Sequence, residues 1–138
     1  MLNFAKKIWS NNIELLRDLR DLTMHPTQPL EAVVLTAMAR KGQDGVYRPY
    51  LQGQLAIQAP YFYDILGALT VETEPNPDPL QAPYKVRRMY VERTPEYEAG
   101  ERVQGRLGKV VQQQDLGVER MLDMVFGEKK AEPTKKAS

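Results

Sequence analysis

The 138 residues carry 19 Lys and Arg against 18 Asp and Glu, a formal net charge of +1, with 42% hydrophobic and 27% charged residues, which is the balance of an ordinary folded domain. Near-neutrality excludes a uniformly basic nucleic-acid coat, so a DNA contact would have to gather its cations on one face. The absence of cysteine excludes disulfides, thiolate nucleophiles and zinc–cysteine sites.

Phe4, Ile8, Trp9, Leu15, Leu16, Leu19 and Leu22 predict an amphipathic N-terminal helix, with a break near residues 10–12 where Asn11 and Glu14 could form a capping box. Met24–Pro29 ends it, because two prolines cannot continue a helix. A second helix is predicted from Pro29 to Gly42. It has Thr27 or Gln28 as N-cap, a stripe of Leu30, Val33, Val34, Ala37 and Met38, and Arg40 and Lys41 in the last turn. Val33–Thr36 alone would suit a strand; the caps favour the helix. Gln43–Gly45 reads as a turn, Tyr50–Ile57 as a short helix, and Ala59–Pro60 opens another with Phe62, Ile65, Leu66 and Leu69 on one face.

From Leu69 the period becomes two. Leu69, Val71 and Thr73 alternate with Thr70, Glu72 and Glu74, a strand with one polar face. Pro75–Pro79 reads as a hairpin tip and Tyr84–Arg93 as the returning strand. Thr94–Pro95–Glu96 then starts a long helix striped by Val103, Leu107, Val110, Val111, Val118, Met121, Leu122 and Val125. Gln114 and Gly117 leave it open whether residues 95–126 form one helix or two, with Asp115 as a second cap; Gly127 ends the pattern.

This order resembles the MarR family of winged-helix regulators, and PadR-like families share it. Pro29–Gly42 resembles the family's second helix. Tyr50–Leu69 (YLQGQLAIQAPYFYDILGAL) resembles its helix-turn-helix, residues 70–93 its wing, and Thr94 with Gly100 the residues after the wing. The resemblance implies a mainly α winged helix-turn-helix fold with a β-hairpin wing and additional N- and C-terminal helices. It implies one domain over residues 1–127, with terminal dimerisation helices at Leu2–Leu22 and Val103–Val125, and a flexible charged tail at 128–138. The implied function is that of a homodimeric DNA-binding transcriptional regulator, a repressor, with double-stranded DNA and a small-molecule effector as partners. Two departures lie in the reading surfaces. Pro60, Tyr61, Tyr63 and Asp64 stand where base-reading residues are usual, and the tip lacks an arginine.

The DNA-binding residues expected on this reading are Tyr61 and Tyr63 on the recognition helix, Lys85, Arg87 and Arg88 on the wing, and Arg48. Each has an alternative. The tyrosines could pack between helices, and the wing cations could pair with Glu72, Glu74 and Glu92 on a solvated hairpin. His25, the sole histidine, suits a His-Pro turn and has no partners at ligand spacing. The glycines at 100, 105 and 108 lack the strand–loop–helix context of a phosphate cradle and read as points of close helix approach. No cofactor, metal or enzymatic activity is therefore expected. Without a signal-peptide stretch in residues 1–7, or any run near 18 apolar residues, a cytoplasmic protein with no membrane partner is expected. The competing expectation is a structural or assembly subunit, viral or of a larger complex, that uses the fold for protein contacts.

Overall fold

The structure, a computed structural model, describes residues 2–51 and 53–127. The charged tail expected at 128–138 lies outside the described residues. Helix α1 (Leu2–Asp21) runs unbroken through Asn11 and Asn12; the cost of two exposed asparagines is small beside a continuous hydrogen-bond ladder. It tightens into a 3-10 turn at Leu22–Met24, where the Thr23 hydroxyl donates to the Arg20 carbonyl at 2.8 Å. His25 then turns the chain: its Nδ1 accepts from the N–H groups of Thr27 and Gln28 at 3.3 and 3.0 Å.

Strands β1 (Ala39–Lys41) and β2 (Tyr47–Pro49) form a hairpin. A one-turn helix α2 (Gln54–Gln58) continues into a 3-10 turn at Ala59–Phe62. Short β3 (Ile65–Leu66) pairs with β6 (Gly100–Glu101). The main sheet has the order β4-β5-β7, all antiparallel, from Ala68–Glu74, Tyr84–Tyr90 and Val110–Gln112. After a 3-10 turn at Gln113–Asp115, helix α3 (Val118–Phe126) closes the described chain.

The main core is small. Val91, Leu107 and Val111 are its fully buried members, with Ile65, Met89, Val103, Leu116, Met121, Met124 and Val125 packed around them. Met121 and Val125 of the expected α3 stripe thus pack on this core, and Arg106 ties the helix end down by donating to the Gly127 carbonyl at 2.7 Å. A second, smaller centre buries Leu55 and Ala59, and near it the guanidinium groups of Arg17 and Arg20 on α1 lie 5.3 and 5.8 Å from the Phe62 ring.

This is a mixed α/β fold with antiparallel sheets, so the mainly α winged-helix expectation is overturned. Four corrections carry it. Residues 29–38 form no helix and lead directly into β1: local caps could not outweigh the β-branched Val33, Val34 and Thr36 without a tertiary surface to bury the stripe. The recognition helix is replaced by a 3-10 turn and β3. The helix expected after Thr94–Pro95 is loop, β6, turn and β7, because Gln104, Gly105 and Gly108 adopt φ of 59°, 69° and 70°, conformations that end a right-handed helix. The glycines at 105 and 108 therefore make turns, and a Cβ at either would meet nothing within 4 Å, so they are not points of helix approach. Only the last third of the proposed C-terminal dimerisation helix, α3, is helical.

The β4–β5 hairpin was legible. Its register pairs Ala68 with Tyr90, Thr70 with Arg88, Glu72 with Val86 and Glu74 with Tyr84. At the tip, Asn76 and Asp78 side chains accept from the N–H groups of Asp78 and Leu80 at 3.1 and 3.0 Å, turns that asparagine and aspartate make readily.

Candidate functional site

Alternation along a strand sends successive side chains to opposite faces. Leu69 pairs with Met89, which pairs in turn with the buried Val111, so the odd residues of β4 extend the face of the main core to an edge that the core does not cover. Thr70 is buried and Glu72 and Glu74 are half-buried, whereas Leu69 and Val71 are 65% and 62% exposed. The opposite face carries a polar network. Arg88, across from Thr70, donates to Glu72 at 2.6 Å and to Glu74, and its Nε donates to Gln112 at 3.0 Å. The Tyr90 hydroxyl donates to Glu72 at 2.5 Å and the Tyr84 hydroxyl to Glu74 at 3.1 Å.

These donors hold both carboxyls below the ordinary glutamate value of 4.5. For Glu72 the Tyr90 hydrogen bond leads, followed by Arg88; for Glu74 Arg88 leads, followed by Tyr84. The same bonds raise the Tyr90 and Tyr84 phenols and the Arg88 guanidinium. A depressed folded-state pKa contributes stability that is present above the unfolded value and lost as pH falls through the folded one. The urea midpoint should therefore be flat near neutrality and fall below about pH 4.5. Arg88→Met should lower the midpoint at pH 7 and flatten much of that acid limb; a full acid limb in the variant would show that the network is not its source. Asp44, drawn from 3.8 to about 2 chiefly by its hydrogen bond from Arg48, contributes the residual slope.

The six residues expected to meet DNA do not form one face. Arg88 is committed to the network above. Arg48 lies on the β1–β2 hairpin and pairs with Asp44 at 2.7 Å and with Glu98. Tyr61 is exposed on a 3-10 turn, and its carbonyl accepts from Arg102 at 3.2 Å. Tyr63 is half-buried; its hydroxyl is enclosed without a hydrogen-bond partner among the described residues, and burial raises its pKa. Lys85 and Arg87 are both exposed, two residues apart on β5, and in no ion pair among the described residues. They share their face with Leu69 and Val71, since Val71 pairs with Arg87 and Thr73 with Lys85.

The second exposed apolar element was hidden by the helix reading. Residues 32–38 run without turn or bend. Val34 and Met38 are 60% and 79% exposed, and Leu30 and Leu35 are exposed as well. The ends are fixed, Leu30 N–H donating to the Leu22 carbonyl at 3.0 Å and Tyr50 N–H to the Met38 carbonyl at 2.6 Å. Between them, residues 31–37 make no backbone hydrogen bond with described residues. The strand character of Val33–Thr36 was the signal for this segment.

Concave features are shallow by comparison. One is an open hollow of about 460 Å³ beside Val91, Glu92, Arg93, Glu101 and Lys109, where Lys109 and Glu92 already pair at 3.1 Å. Among the described residues no group of His, Asp and Glu is arranged to hold a metal ion, and no helix is long and apolar enough to cross a membrane. Compared with family models, curated proteins and solved structures, the chain matches none.

Proposed function

We propose that this protein is a structural or assembly subunit whose fold is completed by protein–protein contacts. The observation that carries the reading is the uncovered apolar edge of the main sheet. Leu69 and Val71 continue the core face of β5 and β7 yet stand 65% and 62% exposed on an edge strand, the arrangement of a surface covered in an assembly. The exposed segment 30–38 is its companion.

Light scattering on the purified chain tests this reading. A subunit should run as a defined species larger than its 15.8 kDa, and Val34→Glu with Val71→Glu should break that species while leaving the urea midpoint nearly unmoved. Exposed substitutions in a monomer cost within about 0.5 kcal/mol. A monomer at high micromolar concentration would sink the proposal. Binding of random duplex at low salt, lost in Lys85→Ala/Arg87→Ala and falling steeply with salt, would favour the regulator reading instead.

A further inference from the structure

We propose that residues 31–37 of one copy add as an antiparallel fourth strand to the free edge of β4 in a second copy. The inference rests on the assembly reading and names its partner as this same chain.

Two unmet needs are present in one molecule. Residues 31–37 make no backbone hydrogen bond with described residues, and Val34 and Leu35 stand exposed while Ala32 and Val33 are half-buried. A peptide backbone in that state gains most from a sheet edge, which satisfies its N–H and C=O groups while burying its side chains. Strand β4 offers such an edge. It is seven residues long, among the described residues it pairs only with β5, and it carries Leu69 and Val71 exposed. None of the usual protections of an edge is present within it: it has no proline and no lysine, and its two charges, Glu72 and Glu74, are engaged by Arg88. The opposite edge of the sheet, β7, is only three residues long.

Register follows from charge and apolar pairing. With Glu31 opposite Thr73, Val33 falls opposite Val71 and Leu35 opposite Leu69. This places all three arm side chains on the face that holds Lys85 and Arg87, so Glu31 meets the two cations that have no ion pair among the described residues. Ala32, Val34 and Thr36 fall on the network face, opposite Glu72, Thr70 and Ala68. A slip of one residue sets Glu31 against Glu74 and exchanges the two faces. The length match, the apolar pairs and the charge complement all lie within the one sequence, which favours a second copy over an unrelated partner. A single seven-residue edge contact falls short of the roughly 1,600 Å² of a stable interface. A two-fold pair makes the contact twice, arm to edge and edge to arm.

The chain has no cysteine, so the contact can be trapped cleanly. Leu35→Cys and Leu69→Cys chains, mixed and treated with a short bifunctional thiol reagent, should give a covalent dimer containing one of each. Leu35→Cys mixed with Leu80→Cys, at the hairpin tip, should stay near background. Glu31→Lys should lower the yield several-fold, and Lys85→Glu in the Leu69→Cys chain should restore it. A link confined within single chains of the Leu35→Cys/Leu69→Cys double variant would overturn the proposal, since the arm would then reach its own sheet. Absence of a link in a protein that still runs as a defined oligomer would overturn it while leaving the assembly reading intact. Absence of a link in a protein that runs as a monomer would overturn both.

Discussion

Leu107→Ala is expected to lower the free energy of unfolding by about 2–5 kcal/mol, the range for truncating a buried leucine to alanine. The effect is large here because the core is small. Leu107 is one of three side chains, with Val91 and Val111, that the sheet and α3 bury almost completely. Marginal stability for a domain is about 5–15 kcal/mol, and a core of this size places the isolated chain toward the lower end. The cavity would open beneath Met121, Met124 and Val125, so α3 should loosen first even though Arg106 still holds its end. Urea denaturation of Leu107→Ala beside Leu80→Ala, a residue that is 93% exposed, gives the comparison. Equal midpoints for the two would show that Leu107 is not a keystone of the fold.

Tyr97→Ala is the second large effect. Tyr97 stacks between Tyr47 and Tyr90, with ring centroids 5.5 and 5.8 Å away and planes 24° and 9° apart. Each aromatic pair contributes about 0.5–1.5 kcal/mol beyond its buried area, so loss of both pairs and of the half-buried ring should cost about 2–4 kcal/mol. The consequence is directional. The stack, with the hydrogen bonds of Tyr47 N–H to the Glu96 carbonyl at 2.7 Å and of Glu98 N–H to the Tyr47 carbonyl at 3.0 Å, joins the β1–β2 hairpin to the main sheet. Hydrogen exchange should therefore speed up across residues 39–49 while β4 and β5 keep their protection. Tyr97→Phe keeps the ring and should behave nearly as the parent. Unchanged exchange in the hairpin of Tyr97→Ala would refute the coupling. Because segment 31–37 runs straight into β1, the same substitution should also blur the placement of the arm and weaken the assembly.

Both predictions concern features that the sequence revealed only in part. The β4–β5 hairpin was readable because period-two alternation from Leu69 and three prolines at its tip admit few other structures. Gly117 and Gly127 bracket α3, where Met121 and Val125 of the expected stripe pack on the core beside Met124, while Val118 is exposed. His25 turns the chain as a His-Pro pair suggests. The aromatic stack, by contrast, joins residues 47, 90 and 97 from three separate segments, and no local pattern announces it. Arg88 was grouped with Lys85 and Arg87 as one basic cluster, yet strand alternation sends it to the opposite face, where Glu72 and Glu74 neutralise it. Near-neutral charge on the hairpin was the available hint, and it pointed to pairing.

The sequence by itself determined where the chain turns, which stretch alternates, that the chain has no thiol chemistry, and that its charge is balanced. These depend on proline geometry, side-chain period and composition, all of which are local or additive. Tertiary structure alone decided that residues 29–38 remain extended, that the region after Thr94 turns instead of coiling, and that the core stops short of Leu69 and Val71 on β4. Spacings of three and four fit a helix stripe and a looping chain equally well, and a short strand has two faces of which only packing chooses one. In this protein the face of Met89 and Val111 took the core, and its extension across β4 at Leu69 and Val71 stayed exposed.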